Sequence, residues 1–439
     1  MLARHASHPR QTLIAVFFAW KGLLLAVALG SAVAPSYDTS TSLMLRRNES
    51  DLSLVTRLMR WDAIYFTQAA RRGYLYEQEW AFNAVLPLFV SGLARLARVL
   101  GVADDGYGGL EAAIGIAVAH AAHLFAVLTL YALTQKLFDR KPLAFLAAFL
   151  HIISPAGLFL SVPYAESSYA LFAFAGYYVL TSDQPRGSLR WTAVQISAGA
   201  LFGLATALRS NGLLNGIPFA AECLTILHSL LSSPITGASL AGATAALLGP
   251  VVGGALVASG SVVPQYRAWL RYCSGESEAR AWCGRTVPGI YSFVQEHYWG
   301  VGFLRYWTPG NIPLFALAAP VLALMIASGL EVLKRPSGLA RSPTSSTKVT
   351  ARNVPLLSSR QIVVASLAAS QVLLAVLAIT TYHVQIITRI ATGYPVWYWW
   401  VAGCLLDGER RALGRKVVTF SVMYALIQGV LFASFLPPA

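Results

Sequence analysis

Asp62 is the residue whose type and setting most invite chemistry. It lies in the stretch Leu58 to Pro87, LMRWDAIYFTQAARRGYLYEQEWAFNAVLP, which holds Asp62, Glu77 and Glu79, three of the chain's 19 acidic residues, among aromatic side chains. From Val55 to Ala69 the positions Val55, Leu58, Met59, Tyr65, Phe66 and Ala69 recur at helical spacing, and Asp62 falls in the middle of that stripe. An ion taken out of water costs several kcal/mol unless it is paired, so a carboxylate there calls for a structural partner or a reaction. Two readings stand at this point. Asp62 either forms a salt bridge with Arg57 or Arg60 that fixes the helix, or it moves a proton as a general base. Glu77 and Glu79 follow Gly73, a plausible helix stop. As an ExE pair they suit metal binding, hydrogen bonds to sugar hydroxyls, or the plainer place of solvated acids at an interface.

The elements that must position these groups are membrane helices. Of 439 residues 56% are hydrophobic and only 12% charged, against about 25% charged in soluble proteins. A bilayer core of about 30 Å asks for roughly 20 apolar residues per helical span. Runs of that kind lie near 12–34, 110–135, 142–161, 164–181, 191–208, 211–231, 238–262, 312–333, 361–382, 389–406 and 417–436, so about eleven transmembrane helices are expected in one all-α polytopic domain, 1–439. The apolar segment 83–100 carries Pro87, Arg95 and Arg98 and is read as amphipathic, lying on the membrane rather than crossing it. With the N-terminus cytosolic, the segments 1–11, 136–141, 182–190, 334–360 and 407–416 are strongly basic, whereas 35–109 and 264–310 come close to balance. Nearly all of the net charge of +14 then sits on one face, as the positive-inside rule requires. The basic composition therefore needs no nucleic-acid partner.

The first run is interrupted by Lys21 and is long for a cleaved signal peptide, so an uncleaved span is expected. The loop 35–109 carries the sequon Asn48-Glu49-Ser50, a candidate glycosylation site. The loop 264–310 is rich in aromatic residues that suit an interfacial belt or stacking on sugars. It also holds Cys273 and Cys283, which can pair if the loop faces an oxidising compartment. Residues 334–360 carry six basic residues, no acid and repeated Ser, Thr and Pro, the composition of a flexible cytosolic linker. His120 and His123 are spaced i, i+3 without a nearby carboxylate or thiolate, so no metal site is expected there. Walker, Rossmann and Asp-x-Asp motifs are absent from the sequence.

RWDAIYF followed by GYLYEQEWAFN resembles the first lumenal loop of the GPI mannosyltransferase 2 family, PIG-V-like enzymes of the GT-C class. SPAGLFLSVPYAESSYALFAF (154–174), ALRSNGLLN (207–215), YWGVGFLRYW (298–307) and HVQIITRI (383–390) match in the same order, so the resemblance covers most of the chain. It implies a polytopic enzyme of the endoplasmic reticulum with a lumenal active site and no cofactor. The implied donor is dolichyl-phosphate-mannose, and the acceptor is the first mannose of a mannosylated glucosaminyl-phosphatidylinositol. Forming an α-1,6 linkage from a β-linked donor inverts the anomeric centre, which needs one base, and Asp62 matches that position.

A departing phosphate calls for cationic donors near the membrane surface. Arg209 and Arg389, at the ends of apolar runs, lead for that role, with Arg305 and His383 next; snorkelling to the interface is the plainer alternative. Glu166 could serve as a second acid, as an acceptor for mannose hydroxyls, or as the partner of an arginine. Arg60, Trp61, Glu77, Glu79, Trp80, Asn83, Asn211 and Gln385 lie in the matching segments and join the substrate-binding candidates. The family also suggests a small membrane partner subunit. A lumenal mannosyltransferase acting on a protein or an N-glycan precursor is the nearest alternative. A transporter or a non-catalytic subunit is a more distant one.

Overall fold

The computed structural model describes residues 8–31, 36–45, 54–104, 106–232, 234–274, 280–336, 338 and 359–437. Asn48 and nearly all of the 334–360 linker lie outside the described residues. Among the described residues the chain is helical, without strands, and eight helices are long and apolar enough to cross a membrane. In chain order the helices are α1 (Pro9–Gly30), α2 (Ser40–Leu45), α3 (Leu54–Arg57), α4 (Asp62–Arg72), α5 (Val85–Val99), α6 (Gly109–Phe138), α7 (Lys141–Ile152), α8 (Glu166–Leu180), α9 (Leu189–Leu208), α10 (Ile217–Leu231), α11 (Gly237–Tyr272), α12 (Ile290–His297), α13 (Ile312–Lys334), α14 (Ser359–Thr380), α15 (Ile387–Ile390), α16 (Val396–Leu406) and α17 (Arg411–Ala433). An all-α polytopic membrane architecture follows.

Each expected span has its helix, but four are short. α10 has 15 residues and is continued at its start by the 3-10 turn Ser210–Gly216. α7, α8 and α16 have 12, 15 and 11 residues, or about 18, 22 and 16 Å at 1.5 Å per residue, less than a bilayer core. The continuous spans expected at 142–161 and 389–406 are therefore corrected. Pro155 breaks the first and Pro395 breaks the second, because proline lacks the N–H and pushes the preceding residue out of helical backbone. Between the pieces run short 3-10 turns at Gly157–Leu160, Val384–Ile386 and Ala391–Gly393. Irregular backbone at membrane depth is tolerated only inside protein or around a cavity, and every residue from 151 to 170 is buried.

The polar groups of that irregular backbone are answered by side chains on helices. Lys21 of α1 donates to the Leu160 carbonyl at 2.9 Å and to the Ser161 hydroxyl at 2.7 Å. Gln428 of α17 accepts the Leu158 N–H at 3.0 Å, and Gln371 of α14 accepts the Trp397 N–H at 3.0 Å. Gly157 has a φ of +50°, and a Cβ there would meet the Ala425 carbonyl oxygen at 2.9 Å, so glycine alone fits.

α9 and α11 approach through glycines. A Cβ on Gly199 would meet the Gly253 Cα at 2.5 Å, and one on Gly203 would meet the Leu256 carbonyl oxygen at 2.6 Å. Small residues let membrane helices come backbone to backbone where no hydrophobic effect drives them together, and this contact fixes where the C-terminal end of α9 delivers Arg209.

The helix expected through 55–69 is also corrected. α3 stops at Arg57, the chain turns at 58–61 with Trp61 at a φ of 54°, and Asp62 starts α4. α5 buries Leu86, Pro87, Val90 and Ala94 and leaves Leu88, Phe89, Leu96 and Val99 exposed, the two-sided character expected of 83–100. Cys273, at the end of α11, and Cys283 form a disulfide with their Cα atoms 5.5 Å apart.

Candidate active site

Four charged side chains from distant parts of the chain form a row. Asp62 Oδ2 lies 2.7 Å from Arg389 Nη2, Arg389 Nε lies 3.4 Å from Glu166 Oε1, and the same Glu166 oxygen lies 2.6 Å from Arg209 Nη1. Each sign suits its place. Asp62 and Glu166 open α4 and α8, where free N–H groups favour an anion, and Arg209 directly follows α9, where free carbonyls favour a cation. Glu166 is fully buried, whereas the Asp62 side chain is 27% exposed. Buried charges persist only with partners, and Glu166 has two.

The irregular 153–165 segment holds the exposed end of this row. Phe159 and Tyr164 flank the Arg389 guanidinium with ring centres at 5.2 and 5.3 Å, cation–π contacts that orient it. The Tyr164 hydroxyl accepts the Asp62 N–H at 3.0 Å and so satisfies a free donor at the start of α4. Lys21, which ties down Leu160 and Ser161, acts on the same segment.

Asp62 faces open space on two sides. A cavity of about 460 Å³ is lined by Asp62, Arg209, Arg389, Asn83, Asn211 and His383, with aromatic walls from Tyr65, Phe82, Tyr291, Trp299 and Tyr382. A further cavity of about 460 Å³, which includes Arg305, continues from it and shares Tyr291, Gln295 and Tyr382. A separate cavity of about 400 Å³ has Asp38, Ser40, Gln68, Gln78 and Glu79 in its wall and meets the first only at Trp61, Asp62 and Tyr65. The carboxylate stands in the partition. Trp61, the other main part of that partition, has a positive φ, which costs a bulky residue on the order of 1–3 kcal/mol. Burial and then the Arg389 charge lower the pKa of His383, against an opposing pull from Asp62.

The remaining candidates divide. Asn83 donates to the Thr206 carbonyl at 3.1 Å and Asn211 to the Tyr394 hydroxyl at 3.2 Å while lining the first cavity. Glu77 has a supporting place instead. It accepts from Trp282 Nε1 at 3.1 Å and from the Tyr298 hydroxyl at 3.2 Å, tying the two large loops together. Glu79 is held by Arg72 at 2.6 Å and by the Leu75 N–H at 2.7 Å, so its carboxylate is already committed, although it borders the second cavity.

Trp80 packs against Tyr74 and Tyr272. Arg305 pairs with Glu296 at 2.9 Å. Gln385 keeps a buried Oε1 without a hydrogen bond. Arg60 turns away from Asp62 to Ser36 at 2.9 Å and the Phe435 ring at 4.7 Å; the salt bridge expected between Asp62 and Arg57 or Arg60 is replaced by the one to Arg389. His120 and His123 donate to the backbone carbonyls of Ile116 and His151, and no group of three metal-ligating residues occurs among the described residues. Lys21, Asp38, Phe159 and Tyr164 were not among the site candidates. Lys21 was visible as the interruption of an apolar run, Phe159 and Tyr164 lie in the matching segment 154–174, and Asp38 carried no signal.

A bundle of membrane-length helices holding an acid between two cavities, one of them lined by arginines and aromatic rings, has the architecture of a polytopic membrane enzyme. The model of the family described as Mannosyltransferase (PIG-V) matches residues 4–439, and the chain belongs to that family. A protein of Gibberella zeae named GPI mannosyltransferase 2 is 47% identical over 446 residues, covering 100% of both chains. One of that name from Aspergillus fumigatus is 40% identical and covers 98% of this chain and 94% of its own. Among solved structures, an Archaeoglobus fulgidus oligosaccharyltransferase tethered to an acceptor peptide matches at 13% identity with a TM-score of 0.46, over 94% of this chain and 55% of that chain.

Proposed function

We propose that this chain transfers the second mannose of the GPI anchor precursor, moving it from dolichyl-phosphate-mannose to the first mannose in an α-1,6 linkage at the lumenal face of the endoplasmic reticulum membrane. In this reading it is a GT-C-type enzyme, the loops 35–109 and 264–310 face the lumen, and 334–360 is a cytosolic linker. The relatives named GPI mannosyltransferase 2, matched end to end, support the acceptor. The observation that carries the mechanism is the position of Asp62 in the partition between two cavities.

The step is a single displacement. The 6-hydroxyl oxygen of the acceptor mannose forms a bond to the donor C1 as the C1–O bond to phosphate breaks. Dolichyl phosphate leaves with the electron pair, and the hydroxyl proton passes to Asp62. Arg389 approaches that carboxylate at Oδ2, and the 27% of the side chain that stays exposed leaves room for the hydroxyl that gives up its proton. Arg389 and Arg209 line the first cavity and meet the leaving phosphate, and Arg209 Nε is buried without a hydrogen bond, a donor to spare. Glu166 holds both guanidinium groups in place and keeps them charged. The aromatic wall offers apolar faces to the sugar and the first isoprene units.

Cells lacking this gene, rescued with wild type, Asp62→Asn or Asp62→Ala, test the reading through their accumulated precursors and protein levels. A one-mannose precursor relieved only by wild type supports both the reaction and the base. Precursors of normal length without the gene would refute the reaction, and full rescue by Asp62→Asn would refute the base.

A further inference from the structure

The two cavities beside Asp62 differ in charge as well as position. The first holds Arg209 and Arg389. The wall of the second contains Asp38, Glu79 and Arg72, and Arg72 is committed to Glu79 at 2.6 and 3.3 Å. Asp38 is then the anion with charge to offer. It accepts the Ser40 N–H at 2.6 Å and makes no ion pair among the described residues. Hydrogen bonds from Ser40, with a smaller contribution from the Arg60 charge, hold its carboxyl below the usual range, so it is ionised at neutral pH. Beside it, Gln78 makes no hydrogen bond within the described chain, and Gln68 spends one amide hydrogen on a long 3.4 Å contact to the Tyr107 carbonyl. These are groups placed to exchange hydrogen bonds with hydroxyls. The volume, about 400 Å³, falls within the roughly 300–1,000 Å³ range of small-ligand sites.

Inversion adds a direction. The nucleophile must reach C1 from the side away from the leaving phosphate, while its proton reaches the base. If phosphate sits with the arginines of the first cavity, the acceptor hydroxyl comes to Asp62 from across the partition.

We infer that the second cavity is the acceptor site, that it takes a hydroxyl-rich glycan carrying a free amine, and that Asp38 meets that ammonium while Gln68 and Gln78 engage ring hydroxyls. The inference rests on the mannosyl-transfer reading above and adds to it a residue that recognises the unacetylated hexosamine of the acceptor. Acetylation of that amine removes the charge and adds bulk, and the cavity then discriminates against it.

The test uses microsomes containing the full chain, supplied with dolichyl-phosphate-mannose and either a synthetic mannosyl-glucosaminyl-inositol lipid or its N-acetylated form. Wild type is expected to prefer the free amine. Asp38→Asn raises the KM for the free-amine acceptor about tenfold, or about 1.4 kcal/mol, and flattens the preference; the donor KM is unchanged. Asp38→Glu keeps the preference, and Gln78→Ala raises acceptor KM about threefold at normal protein level, which separates recognition from folding. Mannose transfer by wild type with an unaltered acceptor KM and amine preference in Asp38→Asn and Gln78→Ala overturns the acceptor site and leaves the mannosyl-transfer reading standing. A rise in donor KM instead also overturns it. Absence of transfer by wild type to either acceptor removes both readings together.

Discussion

Asp62 and Glu166 each begin a helix and each touch Arg389, yet their surroundings assign them opposite tasks. Glu166 is fully buried between two arginines, with Oε1 shared by both at 2.6 and 3.4 Å. Asp62 has one arginine, keeps 27% of its side chain exposed and borders two cavities. A carboxylate enclosed by cations has no route for a substrate hydroxyl and serves to hold charge in place. A partly exposed carboxylate at a cavity wall can accept a proton. Burial and the number of partners, not residue type, separate support from chemistry here.

Substitutions sharpen that contrast. Glu166→Ala leaves Arg209 without its anion and Arg389 with Asp62 alone, and loss of one partner of a buried pair costs about 3–5 kcal/mol. The expected result is a fall in protein level and thermal stability in detergent, with transfer lost as a consequence; normal stability with transfer abolished would reverse the roles of the two acids. Arg389 touches both acids and Arg209 only one. Arg389→Ala should therefore lower kcat by about a hundredfold or more, the scale of losing a charge-stabilising donor, and Arg209→Ala by about tenfold. Equal effects in single-turnover assays would dissolve that distinction.

Lys21→Met removes the donor to Leu160 and Ser161, and an unmet buried acceptor costs roughly 1–3 kcal/mol. Because that segment carries Phe159 and Tyr164 against Arg389, the variant should lose stability and about tenfold in transfer together. The smallest effect is expected at His383. Burial and then the Arg389 charge lower its pKa, against an opposing pull from Asp62, so it gains its proton at a lower pH than a free imidazole. His383→Gln should raise donor KM a few-fold and leave kcat within about twofold; an unchanged donor KM would remove His383 from the donor side of the site.

The architecture was legible because apolar runs of bilayer length need no tertiary information. Where it misled, proline was the cause. Pro155 and Pro395 sit in runs that read as continuous, yet their irregular backbone is tolerated because protein covers it, a fact no window of hydropathy contains. The Asp62 stripe had correct spacing but crossed a break at Trp61. Its partner was sought at Arg57 and Arg60, neighbours in sequence, whereas the chain supplies Arg389, more than three hundred residues away. Arg209, Arg389 and Glu166 were recognisable singly as charges at span ends. Their order in a row, and the role of Lys21 behind it, depend on which helices meet.

The central claim is that Asp62 accepts the proton from a hydroxyl arriving across the partition. The direct measurement compares wild type with Asp62→Asn in one preparation, reading donor binding and single-turnover mannose transfer separately. Asp62→Asn keeps the side-chain size, can still accept from Arg389 and cannot take up the proton. The account predicts donor affinity within about threefold of wild type and transfer reduced by roughly 10²–10⁴. Transfer within tenfold of wild type at normal donor affinity would contradict it and place the base elsewhere.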